Sequence, residues 1–363
     1  MKLLKLQLQN FRNYKDFELK FNNEKPIALI TGENGKGKTN LLESIYLLSV
    51  GKTFRGADQD DLLKWGMDFF IIKGESETKD GSTNFELSYT NYPRKHKSFK
   101  INDVKKKHAE YIGNFLTVLF HPKDLNMLYL EPSLRRKYLN LLLSQTDKYY
   151  LEALSNYTRL LKQRNALLDE VADGKKSADE LEPWDEKIAE SGTALLEKRH
   201  ELIEFFNKNI QQIYRKISGG KENLQIKYKN TVGETPGTES TALQAYIKKL
   251  KLKRDRDIRY GSTSVGPHRD DIKFILNDKD IEDFASRGEF RTILISLKIA
   301  EISYIEKKTK EPPLLLLDDV FSELDESRQK QLLEAIKKYQ TIITTTELTG
   351  LDAVKKSANI IAI

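Results

Sequence analysis

The sequence predicts an α/β fold in which both ends of the chain build one head and a helical segment is inserted between them. Three observations predict it. Near the start, the apolar run IALIT precedes a glycine-rich loop and a helical pattern. Near the end, the apolar run LLLL is followed directly by two aspartates. Between them, leucine and isoleucine recur at seven-residue intervals, which is typical of long helices packed side by side. This order of elements favours a layered α/β head with an insertion.

The first third of the chain reads mainly as strands. The runs LLKLQLQNF, DFELKF and IALIT fall within residues 1–31, and LLESIYLLSV over 41–50 is helical. Residues 69–101 contain the β-like runs FFIIKGES, NFELSYT and KSFKIN, separated by turn residues.

The middle of the chain reads as helical from Pro132 onward. Leucines recur seven apart over 154–168, and a second heptad pattern begins near Trp184 after the polar break DGKKSADELEP. Two long helices joined by a short polar linker predict an antiparallel, coiled-coil-like hairpin. The second helix would be about 50 Å long at 1.5 Å per residue. Residues 229–240 read as a flexible loop.

The last part of the chain returns to α/β patterning. It comprises the strand DIKFILN, a helix after Ser286, the strand PLLLLLDD, a helix over 327–338 and an inner strand TIITTT. We therefore expect 1–130 and 256–363 to form the head and 131–255 to form the helical insertion.

Composition narrows the class of protein. The chain has 363 residues, of which 39% are hydrophobic, enough for a full core and a second domain. There is no cysteine, and the five histidines are scattered, which argues against thiolate and histidine metal sites. No signal-peptide pattern or membrane-length apolar run occurs, so a cytoplasmic protein is expected.

The net charge of +7 is compatible with a polyanion partner but does not require one. Residues 94–108 hold seven lysines and arginines against one aspartate, and residues 248–259 hold seven against two. Basic runs are usually solvated faces, so each is weak evidence alone.

The segment GENGKGKT, Gly32–Thr39, matches the phosphate-loop pattern G-x-x-x-x-G-K-[ST] and lies between a strand and a helix, as the motif requires. Its glycines allow backbone N–H groups to surround a phosphate at a helix N-terminus. Lys38 would contact the β- and γ-phosphates, and the Thr39 hydroxyl would bind Mg²⁺.

Asp318 and Asp319 follow the second apolar strand, at the edge where α/β sheets bind ligands. Asp318 would hold Mg²⁺, directly or through water, and Asp319 would orient or deprotonate the attacking water. The alternative is that this pair only caps a turn. Upstream of an apolar helical run, Ser286 and Glu289 form the pattern of a capping box, and Ser-x-Gly at a helix start is also suited to a phosphate.

Together, the phosphate loop, the Ser-x-Gly helix, LLLLDD and SELD resemble the ABC-type ATPase head found in SMC proteins. Longer segments narrow the resemblance to the RecF family, and it runs over nearly the whole chain. The most specific of these are PSLRRKYLN and GPHRDD, with KTFRGADQDDLLKWG, VLFHPKDLNMLYLEP, GSTSVGPHRDDIKFILN and SLKIAE in support.

The resemblance implies an ATP-dependent DNA-binding protein of recombination, replication and repair. Two heads would dimerise on ATP, with Ser286 and Gly288 of one facing the phosphate loop of the other. The dimer would clamp DNA at gaps or at junctions of single and double strands, and slow hydrolysis would release it. RecR and RecO would be partners in recombinase loading, and the protein would support the SOS response. Motif and resemblance together assign nucleotide binding to Gly32, Glu33, Asn34, Gly35, Lys36, Gly37, Lys38, Thr39, Arg55, Ser286, Gly288 and Asp318, catalysis to Lys38 and Asp319, and Mg²⁺ to Thr39 and Asp318.

The sequence departs from the family pattern in three places. SRGEF replaces a glutamine-rich continuation, Asp319 stands where many ABC proteins have glutamate, and no histidine follows His268. Thr345 or Thr346 lies where ABC transporters place a switch histidine.

Several arginines have open roles. Arg55 is the candidate nucleotide sensor. Arg135, Arg136 and Arg269 could contact phosphate, sense nucleotide or pair with structural acids, and for Arg269 the adjacent Asp270 and Asp271 favour simple charge balance.

Other function classes fit less well. A structural DNA-binding module with another chromosome-maintenance role remains open. A transporter subunit is disfavoured by the long insertion, and a nuclease by the lack of a second metal cluster in the sequence.

Overall fold

The structure is a computed structural model that describes residues 1–22, 24–79, 81–233, 239–346 and 352–363. Short 3₁₀ segments occur at Asp60–Leu62, Pro122–Leu125, Ala178–Leu181 and Phe321–Glu323. The strands are β1 (Lys2–Phe11), β2 (Tyr14–Lys20), β3 (Ile27–Thr31), β4 (Phe69–Thr78), β5 (Gly81–Thr90), β6 (His96–Ile101), β7 (Val104–Lys106), β8 (Thr117–Phe120), β9 (Leu224–Lys229), β10 (Asp271–Leu276), β11 (Lys279–Asp280), β12 (Leu314–Asp318), β13 (Thr341–Thr345) and β14 (Ala358–Ala362). The helices are α1 (Lys38–Val50), α2 (His108–Tyr111), α3 (Asn126–Tyr129), α4 (Pro132–Thr146), α5 (Lys148–Ala172), α6 (Glu182–Ser218), α7 (Glu239–Tyr260), α8 (Ile281–Phe284), α9 (Arg287–Thr309), α10 (Glu326–Ile336) and α11 (Asp352–Ser357).

The predicted elements are confirmed along most of the chain. The apolar runs around the phosphate loop and the two aspartates form β3 and β12, and the Ser286 helix is α9. The second heptad pattern is α6, which at 37 residues is about 55 Å long. Of the loop predicted over 229–240, residues 234–238 lie outside the described residues, and α7 begins at Glu239.

The chain divides into two compact units. The first consists of Met1–Leu125, Gln212–Lys221 and Ala285–Ile363, and the second of Asn126–Gln211 and Glu222–Phe284. The predicted division into a head (1–130 and 256–363) and a helical insertion (131–255) stays a prediction. Residues 256–284, which that division places in the head, lie in the second unit because β10 pairs with β9.

The first unit contains two sheets. One is parallel, with strand order β14-β3-β13-β12-β8. The other is antiparallel, with order β2-β1-β4-β5-β6-β7. Helix α1 contacts β12 and β13 of the parallel sheet and β4 and β5 of the antiparallel one. It is buried on nearly every face, and its buried residues include the polar Glu43, Ser44 and Ser49 beside the leucines.

Parallel pairing fixes the position of the candidate site. Thr345 pairs with Thr31, Asp318 with Thr344, and Leu317 with Phe120. The carboxyl ends of β3, β13, β12 and β8 therefore meet at one edge of the sheet, where ligands bind in α/β folds.

The second unit is helical with a small antiparallel sheet of order β11-β10-β9. Arg164 on α5 bonds Asp185 on α6 at 2.8 Å, and Tyr150 bonds Arg199 at 3.1 Å. These pairs run in opposite directions along the two helices, which confirms the antiparallel hairpin. It is not an isolated two-helix coiled coil, however, because α7 packs against α5 and its Asp257 also bonds Arg164, at 3.0 Å.

Within the part of the chain that the structure describes, no helix combines the length and apolar character that a membrane span requires.

Candidate functional site

The phosphate loop connects β3 to α1. Lys38 is buried, and its Nζ donates to the carbonyl oxygens of Gly32 at 2.6 Å and Glu33 at 2.9 Å. Residues 33–36 are exposed, so the outer part of the loop is open to a ligand. The lysine thus holds the loop from inside, with its charge at the N-terminus of α1.

Gly37 is the N-cap of α1 and needs to be glycine for two reasons. Its φ is 113°, in the left-handed region, and a Cβ there would lie 2.5 Å from Asn13 Nδ2. Asn13 donates from that nitrogen to the carbonyl oxygen of Lys36 at 2.8 Å. Asn13 is therefore part of the loop's support, although nothing in its sequence context indicated it.

The Mg²⁺ candidates Thr39 and Asp318 lie side by side. Thr39 Oγ1 donates to Asp318 Oδ1 at 2.9 Å, and Thr344 Oγ1 donates to the same oxygen at 2.8 Å. Hydroxyl and carboxylate oxygens are the donors Mg²⁺ prefers, and it commonly uses one or two protein carboxylates together with substrate phosphates. The described residues contain no group of three or more acidic, histidine or cysteine ligands, so a site of this sparse kind is the one they can form.

Asp319 has an unusual environment. Its φ is 51°, and its N–H donates to the Thr344 carbonyl oxygen at 3.2 Å. Its Oδ1 is buried and has no hydrogen-bond partner among the described residues. Burial raises the pKa of Asp319, and the neighbouring Asp318 carboxylate raises it further. This oxygen therefore has acceptor capacity that no described residue uses.

His121 also lies in the site, although no sequence motif pointed to it. Its Nε2 lies 3.6 Å from Asp318 Oδ2, and its Nδ1 accepts a hydrogen bond from the Lys123 N–H at 3.1 Å. That acceptor role leaves the proton on Nε2, facing the Asp318 carboxylate. Burial lowers the pKa of His121. The available signal was its position immediately after β8, the strand next to β12.

Arg55 lies beside the start of α1. Its NH1 donates to Asn40 Oδ1 at 3.0 Å and is 3.7 Å from Glu43 Oε2. Glu43 is fully buried and also accepts from Arg12 Nε at 3.0 Å. Arg55 is therefore held near the phosphate loop while 42% of its side chain remains exposed, and its sensor role stays a prediction.

The capping box at Ser286 is confirmed as local structure. Ser286 Oγ accepts from the Glu289 N–H at 3.2 Å, and Glu289 Oε2 accepts from the Ser286 N–H at 2.7 Å. Ser286 and Arg287 are exposed, and Gly288 and Glu289 are half-buried. Contact between this segment and a nucleotide held by another copy of the chain stays a prediction.

Helix α9 is joined to the segment after Asp319 by two polar contacts. Arg291 NH2 pairs with Glu323 Oε2 at 2.6 Å, and Arg328 Nε donates to Thr292 Oγ1 at 2.8 Å. These contacts connect the first turns of α9 to SELD, residues 322–325, and to α10.

The two basic runs of the sequence, residues 94–108 and 248–259, are partly neutralised by ion pairs. In 94–108, Lys95 pairs with Asp60 and Lys100 with Glu86. In 248–259, Lys251 pairs with Glu182 at 3.1 Å. These runs carry less free charge than their sequences indicate.

The charge-balance interpretation of Arg269 is wrong. Asp271 bonds Arg135 through both of its oxygens, at 2.6 and 2.9 Å. Asp270 is buried and accepts from Tyr228 Oη at 2.6 Å and from the Thr231 N–H at 2.7 Å. Neither carboxylate pairs with Arg269, because the two aspartates direct their side chains to other partners.

Comparison with known proteins agrees with the geometry. A family model described as the RecF/RecN/SMC N terminal domain matches residues 2–362. A protein of Bacillus cytotoxicus named DNA replication and repair protein RecF is 39% identical over 355 residues, covering 97% of this chain and 94% of that protein. A solved structure described as the recombination mediator protein RecF-ATPrS in the RecFOR pathway has a TM-score of 0.91 and 35% identity, covering 100% of this chain and 96% of that one.

More distant proteins share only the fold. An Smc head bound to the C-winged helix domain of ScpA has a TM-score of 0.57 at 16% identity, covering 99% of this chain and 93% of that one. The predicted ABC-type head is thereby confirmed. Because the family model and the relatives span nearly the whole chain, the chain belongs to the RecF family, within the wider group of RecF, RecN and SMC N-terminal domains.

Proposed function

We propose that this chain is an ATP-driven DNA-binding switch of recombinational repair and replication. The observation that carries the proposal is the 2.9 Å contact between Thr39 of the phosphate loop and Asp318 at the end of β12. These residues are 279 positions apart in the sequence. Together they form the minimal site for a nucleoside triphosphate with its metal ion. The relative named DNA replication and repair protein RecF and the RecF structure with ATPrS support the assignment.

In this proposal each residue of the site has a separate task. The backbone N–H groups of the loop and the Lys38 ammonium bind the phosphates. Thr39 and Asp318 hold Mg²⁺, which neutralises charge on the phosphates when bound. Asp319 orients, or accepts a proton from, the attacking water through its unpartnered Oδ1. Asp319 is one methylene shorter than the glutamate of many ABC proteins, which suits slow hydrolysis.

The second half of the ATP site comes from another copy of the chain. Ser286 and Gly288 of one head would contact the γ-phosphate held by the other, so that ATP drives homodimerisation. The dimer closes on DNA at gaps or at junctions of single and double strands, and hydrolysis opens it. By family resemblance it works with RecR and RecO in recombinase loading and supports SOS induction in the cytoplasm.

A gapped-DNA binding assay with and without ATP tests the proposal. Wild type should bind more tightly with ATP, and Asp319→Asn should bind ATP and accumulate as a dimer on DNA. DNA affinity that does not change with nucleotide would instead favour a structural DNA-binding module.

A further inference from the structure

Two neighbouring arginines in the second unit, Arg136 and Arg269, make no ion pair within the described residues. Arg136 on α4 donates from NH1 to the backbone oxygen of Asp270 at 3.0 Å, which places it beside Arg269, the preceding residue. Arg269 Nε donates to the backbone oxygen of Thr263 at 3.2 Å. Arg269 is exposed and Arg136 is half-buried. We call these two side chains the arginine pair.

Carboxylates near the arginine pair are engaged elsewhere. Arg135 holds both oxygens of Asp271, and Tyr228 and the Thr231 N–H hold those of Asp270. Across the described ranges, neither Arg136 nor Arg269 has a carboxylate oxygen within 4.0 Å. The side-chain hydrogen bonds given for them go to backbone oxygens, so neither guanidinium is paired directly with a carboxylate.

The positive charges of the two arginines oppose each other. Arginine does not deprotonate in proteins, so neither group can relieve this repulsion by losing its proton. Burial lowers the pKa of Arg136, and the positive charges of Arg199 and Arg269 lower it further, while the nearby Asp271 and Asp270 carboxylates act in the opposite direction. An anion placed between the two groups would remove the repulsion and use their free N–H donors.

We propose that the arginine pair binds a phosphate group of the DNA backbone. Each guanidinium offers a planar set of N–H donors that fits two phosphate oxygens. Contacts of this kind position DNA without reading its sequence. Neither residue takes part in the contacts that form the ATP site. This proposal rests on the proposed DNA-binding function and assigns a surface to it.

The test compares charge-matched double variants. Arg136→Gln/Arg269→Gln removes the arginine pair, and Arg159→Gln/Lys162→Gln removes two exposed charges from α5 of the same unit. Binding of a fluorescein-labelled gapped duplex is measured by anisotropy with ATP present, over a range of salt concentrations. Binding of fluorescent ATP and thermal unfolding are measured on the same samples. A third variant, Arg136→Lys/Arg269→Lys, keeps the charge but loses the planar donors.

We expect the glutamine pair to weaken DNA binding roughly 10- to 100-fold, as removal of a charge-assisted hydrogen bond does. The slope of log affinity against log salt should fall by about 0.9 for each duplex phosphate that the protein no longer neutralises. Arg136→Lys/Arg269→Lys should keep most of that slope. Arg159→Gln/Lys162→Gln should bind DNA like wild type. All three double variants should bind ATP like wild type.

Equal DNA affinity and slope in the wild type and the glutamine pair would overturn the site while leaving the proposed function intact. Loss of ATP binding in the glutamine pair, with DNA binding retained, would assign the arginines to a free nucleotide and also overturn it. A wild type that does not bind the gapped duplex would overturn the proposed function itself.

Discussion

Replacing Ser286 by alanine measures how much of the capping box is local and how much serves assembly. Alanine removes the acceptor for the Glu289 N–H, at 3.2 Å, and the hydroxyl that donates to Glu289 Oε2, at 2.7 Å. The bond from the Ser286 N–H to Glu289 Oε2 at 2.7 Å does not need the hydroxyl. Because one of these three exposed hydrogen bonds survives, we expect a stability loss of about 1 kcal/mol, the middle of the range for N-caps. For a chain of 363 residues, the midpoint of thermal unfolding should fall by about 1–2 °C.

The same variant should weaken ATP-induced dimerisation by tenfold or more, since each of two sites loses a hydrogen bond to a charged phosphate. Asp147→Ala is the matched control, because Asp147 caps α5 by accepting from the Tyr150 N–H at 3.1 Å. It should lose similar stability and dimerise normally. Sedimentation of both variants with and without ATP gives the dimer affinities. Ser286→Arg, which places a bulky side chain at the same position, is measured in parallel. If both Ser286 variants dimerise with ATP as tightly as wild type, the assembly role is refuted and SRGEF is only a helix start.

Three further substitutions test the site and the second unit. His121→Leu removes the N–H that faces Asp318 Oδ2 at 3.6 Å. The Mg²⁺ concentration that gives half-maximal ATP hydrolysis should therefore rise about 10- to 100-fold. His96→Leu, at an exposed histidine, is the control and should leave this concentration unchanged. Asp319→Asn should lower the hydrolysis rate about 10²- to 10⁴-fold while ATP binding persists, because an amide cannot accept the proton. Burial lowers the pKa of His268 to about 4, against 6.5 unfolded, so the unfolded chain binds the extra proton between these values. Stability contributed by neutral His268 is therefore present above pH 6.5 and falls by about 2 kcal/mol at pH 5, and His268→Gln should flatten that part of the pH dependence in urea unfolding.

Each of these has a clear contrary result. An unchanged Mg²⁺ requirement in His121→Leu would show that Asp318 does not depend on that neighbour. Wild-type hydrolysis in Asp319→Asn would remove Asp319 from the chemistry. The same pH slope with and without His268 would mean that other groups cause the loss of stability in acid.

Local patterns predicted a large part of the site. The phosphate loop, the strand before it and the capping box at Ser286 each depend on residues within about ten positions of one another, so spacing alone identifies them. The aspartates after β12 were found because a buried strand ends there.

Contacts made by strand pairing could not be predicted in the same way. His121 and Thr344 reach Asp318 only because β8 and β13 flank β12, and this strand order is not written in any one segment. The arginine misassignment has a related cause. Adjacent residues in extended chain point to opposite sides, so Asp270 and Asp271 direct their carboxylates to different partners and neither pairs with Arg269.

The α5–α6 hairpin shows a further limit of what heptad periodicity can predict. Heptad spacing predicted two antiparallel helices correctly, but it did not reveal that α7 packs against α5. Buried Arg164 joins all three helices through Asp185 and Asp257, and such a polar contact leaves no periodic signal.

The proposed switch requires that ATP convert single heads into a dimer. Light scattering after size exclusion measures this conversion directly, on the Asp319→Asn variant with Mg²⁺ and with or without ATP. We expect the mass of one 42.0 kDa chain without nucleotide and twice that mass with ATP. The same mass under both conditions, with ATP binding verified in the sample, would contradict it.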